Sequence, residues 1–266
     1  MFIDHLFRLI PDWGVSAIYK IGDIVFGKQL ALHQIPFGPI RGRKIYMRFR
    51  ISPRMFFGVN EPWVSKMILQ HTKPGYVVYD LGAHIGYTCL LFTAALSEKG
   101  EIHAFEILPS NVKILGATLA ENPDARVTIH PVGVADDEQE IELPASPTGM
   151  TSIYSPVTKG SFGEKCATVA LDLYVSKKGI PYPDIMKIDI EGAEIAFMDG
   201  AQSILKEVSP QLIIEFHGID RLRKGHEILS QFGYKMQLED GRTIDQSVIE
   251  KIQTKNQNVY CWKENN

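Results

Sequence analysis

Asp189, Glu215 and His217 carry the chemistry this chain can do. Each closes an apolar run of strand length, Ile185–Ile190 for the first and Leu212–Phe216 for the other two. If those runs are neighbouring parallel strands, all three side chains converge on one mouth of a sheet. Two carboxylates and an imidazole at one mouth can take a proton from a weakly acidic hydroxyl. The same set is a candidate site for a divalent cation such as Mg2+, which would lower that hydroxyl's pKa. Glu191 stands close enough to the mouth to join the catalytic set. Glu194, further on, reads as a first-turn acid complementing the dipole of the next helix. Lys187, two residues before Asp189 in an extended run, faces the same side and is placed to pair with a carboxylate there.

A second constellation lies upstream. Tyr76–Leu81 is an apolar run holding Asp80 near its end, followed by a turn with Gly82 and Gly86 and then by a helix-like stretch. A strand, a glycine turn and a helix N-terminus form the ligand crevice of a doubly wound sheet. A diphosphate-binding turn wants Gly-x-Gly-x-x-Gly, so that backbone lies directly against the phosphates. Here His84 occupies the second glycine's place, and Asp80 adds negative charge. Both suit a ligand without phosphate and with a cationic amino-acid end, which favours S-adenosylmethionine over NAD. Glu106 closes the next apolar run, Ile102–Phe105, 20 residues beyond Gly86, where an acid can accept hydrogen bonds from both ribose hydroxyls. An NAD-dependent oxidoreductase and a catalytically silent nucleoside-binding scaffold are the alternatives.

These residues need a sheet to hold them, and the pattern supplies one. Apolar strands over Val77–Leu81, Ile102–Phe105, Val127–Pro131, Ile185–Ile190 and Leu212–Phe216 alternate with helical stretches over Tyr87–Leu96, Ser110–Glu121, Gly192–Val208 and His226–Phe232. Unbroken apolar strands separated by helices predict a parallel sheet covered on both faces. Ser110 is expected to cap its helix. Tyr234–Leu238 and Asn258–Trp262 have no strong helix between them and are expected to pair antiparallel at a sheet edge. The stretch 136–163, dense in Pro, Ser, Thr and Gly, reads as an irregular insertion forming a substrate-facing lid. Glu61-Pro62-Trp63 opens a helix, Trp63–Gln70, placed to cover the cofactor's amino-acid end.

Pro74-Gly75, Asp80-Leu81-Gly82-Ala83-His84-Ile85-Gly86, Phe105-Glu106-x-x-Pro109-x-Asn111, Lys187-Ile188-Asp189-Ile190-Glu191-Gly192-Ala193-Glu194 and Ile214-Glu215-Phe216-His217 occur in this order. Together they resemble the FkbM family of S-adenosylmethionine-dependent methyltransferases, most clearly from Glu61 to Gly218. The resemblance implies an α/β fold: the doubly wound, seven-stranded class I (Rossmann-like) methyltransferase sheet with an antiparallel last strand. It also implies O-methylation of a sugar or natural-product-like small molecule. Expected cofactor contacts are Glu61, Asp80, Gly82, Ala83, His84, Gly86, Thr88, Glu106, Ile107, Gly133, Val134 and Asp189. The family usually has Asn where His84 stands; both residues tolerate unusual backbone angles. The run Glu106-Ile107-Leu108-Pro109 is one residue longer than the commoner Glu-Pro start.

Domain organisation is expected as an N-terminal extension over 1–60 and a methyltransferase domain over 61–266. A net charge of −3 and a pI near 6.2 argue against nucleic acid as partner. Cys89, Cys166 and Cys261 form neither metal-ligand spacing nor a disulfide framework. No apolar run reaches the roughly 18 residues of a membrane span, and the chain is read as cytoplasmic. Residues 1–35 alternate apolar and charged residues at helical spacing, which suits packing on the domain, a homo-oligomer contact or a membrane surface.

Overall fold

The structure, a computed structural model, describes Gly22, Ile24 and residues 27–50, 52–97, 99–144, 163–252 and 256–264. Most of the amphipathic stretch 1–35 therefore lies outside the described residues, as does 145–162 of the expected lid.

A short antiparallel hairpin, β1 (Ala31–Gln34) and β2 (Lys44–Met47), comes first. Helices α1 (Pro53–Phe56) and α2 (Pro62–His71) follow, both with proline in the first turn, where its missing N–H costs nothing. Then β3 (Val77–Leu81), α3 (Tyr87–Leu96), β4 (Glu101–Phe105), α4 (Pro109–Ala120) and β5 (Val127–His130) give one half of the sheet. The other half comes from β9 (Ile185–Ile188), α6 (Glu194–Gly200), β10 (Gln211–His217), α7 (Ile219–Gln231), β11 (Lys235–Leu238), α8 (Gln246–Ile249) and β12 (Asn256–Trp262).

The seven strands run β11-β12-β10-β9-β3-β4-β5, with β12 antiparallel to both neighbours and the rest parallel. This is the doubly wound class I methyltransferase sheet, and its order reverses between β3 and β9. Tyr79, Leu81, Met186, Ile188, Ile214 and Phe216 are buried against α6 and α7 on one face. Val78, Ile102, Ile185 and Ile213 are buried against α2 and α3 on the other. Burial on both faces explains why these strands lack polar alternation. Ile35, Ile40, Ile45 and Met47 of the hairpin region join that second cluster, so part of the expected extension shares the main core.

Tyr234–Leu238 and Asn258–Trp262 do pair antiparallel at a sheet edge as expected, with β11 outermost and β12 between it and β10. The structure corrects several other expectations. Ser110 does not cap α4: that helix starts at Pro109, and the Ser110 N–H and hydroxyl both donate to Glu164 at 2.7 Å. Gly192–Val208 is not one helix, since α6 gives way to a π turn at Ile204–Val208. The helix expected over His226–Phe232 begins earlier, at Ile219. The 136–163 stretch is not wholly irregular. Its residues Gln139–Pro144 form β7, which lies antiparallel to β8 (Gly163–Ala170), and β6 (Gly133–Ala135) flanks β8 in parallel. Helix α5 (Leu171–Lys178) leads from this small sheet back to β9.

Candidate functional site

The β3–α3 turn is built by backbone geometry that the side chains then exploit. Gly82 has φ +83, and a Cβ there would lie 1.9 Å from the Asp189 carbonyl oxygen. The glycine therefore lets the ends of β3 and β9 close together. Its expected role of admitting a ligand is joined by this packing role. Gly86 has φ +97, and a Cβ would sit 2.8 Å from Leu115 Cδ1. His84 adopts φ 51, a left-handed conformation that a side chain rarely takes. In that conformation its backbone N–H donates to Glu106 Oε2 at 2.7 Å.

Glu106 is the best-anchored acid in the crevice. Oε1 accepts from the Leu108 N–H at 2.9 Å and from Asn111 Nδ2 at 3.2 Å. Burial pushes its pKa up, and those donors together with Lys187 pull the other way. Oε2 has one donor and therefore retains acceptor capacity.

At the far side of the crevice Asp189 follows the end of β9. Burial opposes its charge, yet its pKa is lowered because Lys187 Nζ donates to Oδ2 at 3.0 Å and His217 adds positive charge. The expected pairing of Lys187 with a carboxylate is present. Lys187 itself is buried, and its pKa is nonetheless raised by Asp189, Asp80 and Glu61. Two further residues at this end share the left-handed backbone of His84. They are Glu61 with φ 42 and Glu191 with φ 52, a concentration of strain typical of functional sites. Burial raises the pKa of Glu61, Glu191 and Glu215, and the neighbouring Asp189 carboxylate raises all three further.

His217 stands in the middle of the acids. Its Nδ1 bonds Glu194 Oε1 at 2.8 Å; its Nε2 lies 3.4 Å from Glu191, 3.7 Å from Asp189 and 3.8 Å from Glu215. Burial alone would discharge the ring. The Glu194 hydrogen bond and the surrounding carboxylates overcome it and push its pKa up to about 9. His217 is thus an imidazolium at neutral pH. In that form it balances the acids. The three candidate metal donors, on Asp189, Glu215 and His217, lie within 4.8 Å of one another. A cation entering among them would have to displace the Nε2 proton.

Glu194 is not the solvated helix-end acid the sequence suggests. It sits in the first turn of α6 but is fully buried, accepting from the Gly192 N–H at 2.8 Å as well as from His217. Arg221, which sequence reasoning passed over, brings its Nε within 3.7 Å of Glu194 and donates to the carbonyls of Gly192 and His217. The only local signal for either residue is a second acid in Glu-Gly-Ala-Glu; their partners are remote in sequence.

Between these two ends lies a cavity of about 280 Å³. Of the expected cofactor residues, Glu61, Gly82, Ala83, His84, Thr88, Glu106, Ile107, Gly133, Val134 and Asp189 line it, joined by Glu191. Ser52, Met55, Asn60 and Lys187 are further wall residues. Asp80 is placed apart from these. It is buried behind the wall, where its Oδ2 accepts from Thr88 Oγ1 at 2.6 Å and its Oδ1 has no partner. It ties α3 to β3 rather than facing the cavity. Gly86, Glu215 and His217 also lie off the wall, the last two beside Asp189. The wall suits a nucleoside bearing an amino acid. Ile107, Val134 and Phe105 are apolar, Glu106 offers an acceptor, and Glu61, which accepts from Asn60 Nδ2 at 2.8 Å, offers another. Gly133 leaves room for Ile107: a Cβ there would fall 2.4 Å from Ile107 Cδ1.

Comparison with known proteins identifies the family. A family model described as the methyltransferase FkbM domain matches residues 80–236. The hexuronic acid methyltransferase AglP of Haloferax volcanii is 29% identical over 162 residues. That match covers 59% of this chain and 63% of AglP, so it spans less than two thirds of that relative. The crystal structure of methyltransferase FkbM from Methylobacillus flagellatus KT superposes with a TM-score of 0.50 at 20% identity. It covers 71% of this chain and 44% of that one, a likeness of fold.

Proposed function

Because this chain belongs to the FkbM methyltransferase family, we propose that it is an S-adenosylmethionine-dependent O-methyltransferase acting on a hydroxyl of a sugar or similar small polar molecule. The observation that carries this reading is the composition of one cavity at the sheet's switch point. An anchored acceptor, Glu106, stands at one end, and a group of carboxylates around the buried Lys187, with the half-buried His217 beside them, stands at the other. Bound there, the cofactor supplies an electrophilic methyl group. Glu106 accepts hydrogen bonds from its ribose, Ile107 and Val134 pack on its base, and Glu61 meets its ammonium.

The remaining work falls to the acceptor side. Asp189, held ionised by Lys187, is an acceptor that orients a hydroxyl. Glu191 and Glu215, whose pKa values are raised by burial and by Asp189, can take the proton as the oxygen becomes nucleophilic. His217, charged, keeps the acids from repelling one another apart. Glu194 and Arg221 hold the ring. That the relative AglP is named for a hexuronic acid supports a sugar acceptor.

The test is turnover of S-adenosylmethionine with a panel of free and glycosidically linked sugars, scored by release of S-adenosylhomocysteine. Product release dependent on a sugar, and lost in Asp189→Asn, supports the reading. A protein that binds the nucleoside yet turns over with no hydroxyl acceptor would count for a silent scaffold.

A further inference from the structure

Charge is distributed very unevenly along this chain. Between Ile24 and Asn60 there are seven cations (Lys28, Arg41, Arg43, Lys44, Arg48, Arg50 and Arg54) and no acid. A quarter of the chain's 28 lysines and arginines thus fall in 37 residues. The whole chain carries −3, so with this stretch contributing +7 the remainder carries −10. Two of the cations answer acids of the main domain, Arg43 at Asp124 and Lys44 at Glu121. Lys28 and Arg41 are exposed on the same segment.

The apolar side chains there are equally unusual. Leu30, Leu32 and Phe37 are 40%, 37% and 46% exposed, and they make up three of the seven large hydrophobic residues exposed among the described residues. Leu32 and Gln34 point outward from β1, while His33 between them points in and packs edge-on against Phe56. Phe37 stacks over Phe57 at 6.5 Å, and Phe49 meets Phe56 at 5.2 Å. These ring contacts fix the hairpin to α1, whose Met55, with the preceding Ser52, lines the cavity.

We propose that this hairpin face is a docking surface for an anionic lipid membrane. Leucine and phenylalanine side chains that enter the headgroup boundary, interleaved with arginines that meet acidic headgroups, are the two contributions that hold a peripheral protein on a bilayer. An acid-free basic segment on a chain otherwise at −10 also biases the molecule's orientation toward an anionic surface. A nucleic-acid or free-phosphate site would use the arginines but gives no reason to expose three large apolar groups. Docking this way brings the rim formed by Ser52 and Met55 toward the lipid, where a membrane-presented acceptor would meet it. The surface stands whether or not the methyl-transfer reading is right, because its test contains no methyl donor.

Cosedimentation of the full chain with vesicles decides the matter. Vesicles of phosphatidylcholine mixed with phosphatidylglycerol retain the protein at low salt and release most of it at about 0.5 M salt. Pure phosphatidylcholine retains little. Lys28→Gln/Arg41→Gln lowers the partition coefficient roughly 30-fold, at about 1 kcal/mol per cation. Leu32→Ser lowers it several-fold with the thermal melt unchanged, and a shifted melt calls for Leu30→Ser in its place. Equal retention by both vesicle types, unaltered retention in both variants, or tight binding of inorganic phosphate or single-stranded RNA with none to vesicles would overturn the proposal.

Discussion

Replacing Glu194 by Gln separates the electrostatic core of this site from its packing. The side chain is fully buried, and it supplies His217 with both a hydrogen bond and the nearest negative charge, at 2.8 Å. Together with Asp189 and Glu191 it lifts the imidazole from its ordinary 6.5 to about 9. That interval, at about 1.4 kcal/mol per pH unit, is worth about 3 kcal/mol of stability. Because the folded-state pKa is raised, the contribution is fully present below pH 6.5, fades between 6.5 and about 9, and is absent above. Glu194 provides the first two of the raising influences, so removing its charge forfeits about 2 kcal/mol of that amount. Gln at a fully buried position also has a packing and hydrogen-bond cost, but that cost does not vary with pH. Urea unfolding of both proteins from pH 6 to pH 10 isolates the electrostatic part. The stability gap should shrink by about 2 kcal/mol across that range. A gap constant with pH would mean that His217 is not held charged by Glu194, and the picture of an imidazolium balancing the acids would fall.

Further expectations follow from the same geometry. Gly82→Ala places a methyl group 1.9 Å from the Asp189 carbonyl at a φ of +83, so it should cost more than 3 kcal/mol by thermal melting; a loss under 1 kcal/mol would contradict the close β3–β9 approach. Glu106→Gln keeps the shape but loses the carboxylate, and calorimetry should show S-adenosylhomocysteine binding weakened about tenfold or more. Asp189→Asn should lower turnover about a hundredfold while cofactor affinity stays within about threefold. A full rate would remove Asp189 from the acceptor site. Chelator treatment should leave turnover at pH 7 within about twofold, since a divalent cation must compete with the His217 proton. Activity lost to the chelator and restored by Mg2+ would reinstate Asp189, Glu215 and His217 as metal ligands.

The central sheet was legible because each of its strands is a local signal. Val77–Leu81 and Ile102–Phe105 are apolar but for Asp80 and His103 and end in turn or acid residues, and strand pairing adds nothing the run does not already announce. The small sheet was not legible. Gln139–Pro144 is only half apolar and becomes a strand through its pairing with Gly163–Ala170, across a stretch whose prolines and glycines dominate any local reading. The same distinction separates the site residues. His84 and Glu106 announce themselves by their places at a turn and a strand end. Asp80 carries the right type at the right spacing, but which side of the crevice wall it occupies depends on α3 packing over it, through Thr88 and Cys89. Glu194 resembles a solvated first-turn acid until β10 delivers His217 beside it from 23 positions away. Burial and remote charge, the two influences that shift the pKa values of Glu106 and His217, are properties of the folded molecule alone.

Titration calorimetry of the full chain with S-adenosylhomocysteine and, separately, with NAD addresses the claim on which the rest depends, that the β3–α3 crevice receives a sulfonium nucleoside. Saturable one-to-one binding of S-adenosylhomocysteine, weakened in Glu106→Gln, with no heat from NAD, is the predicted result. Saturable binding of NAD with none of S-adenosylhomocysteine would contradict it.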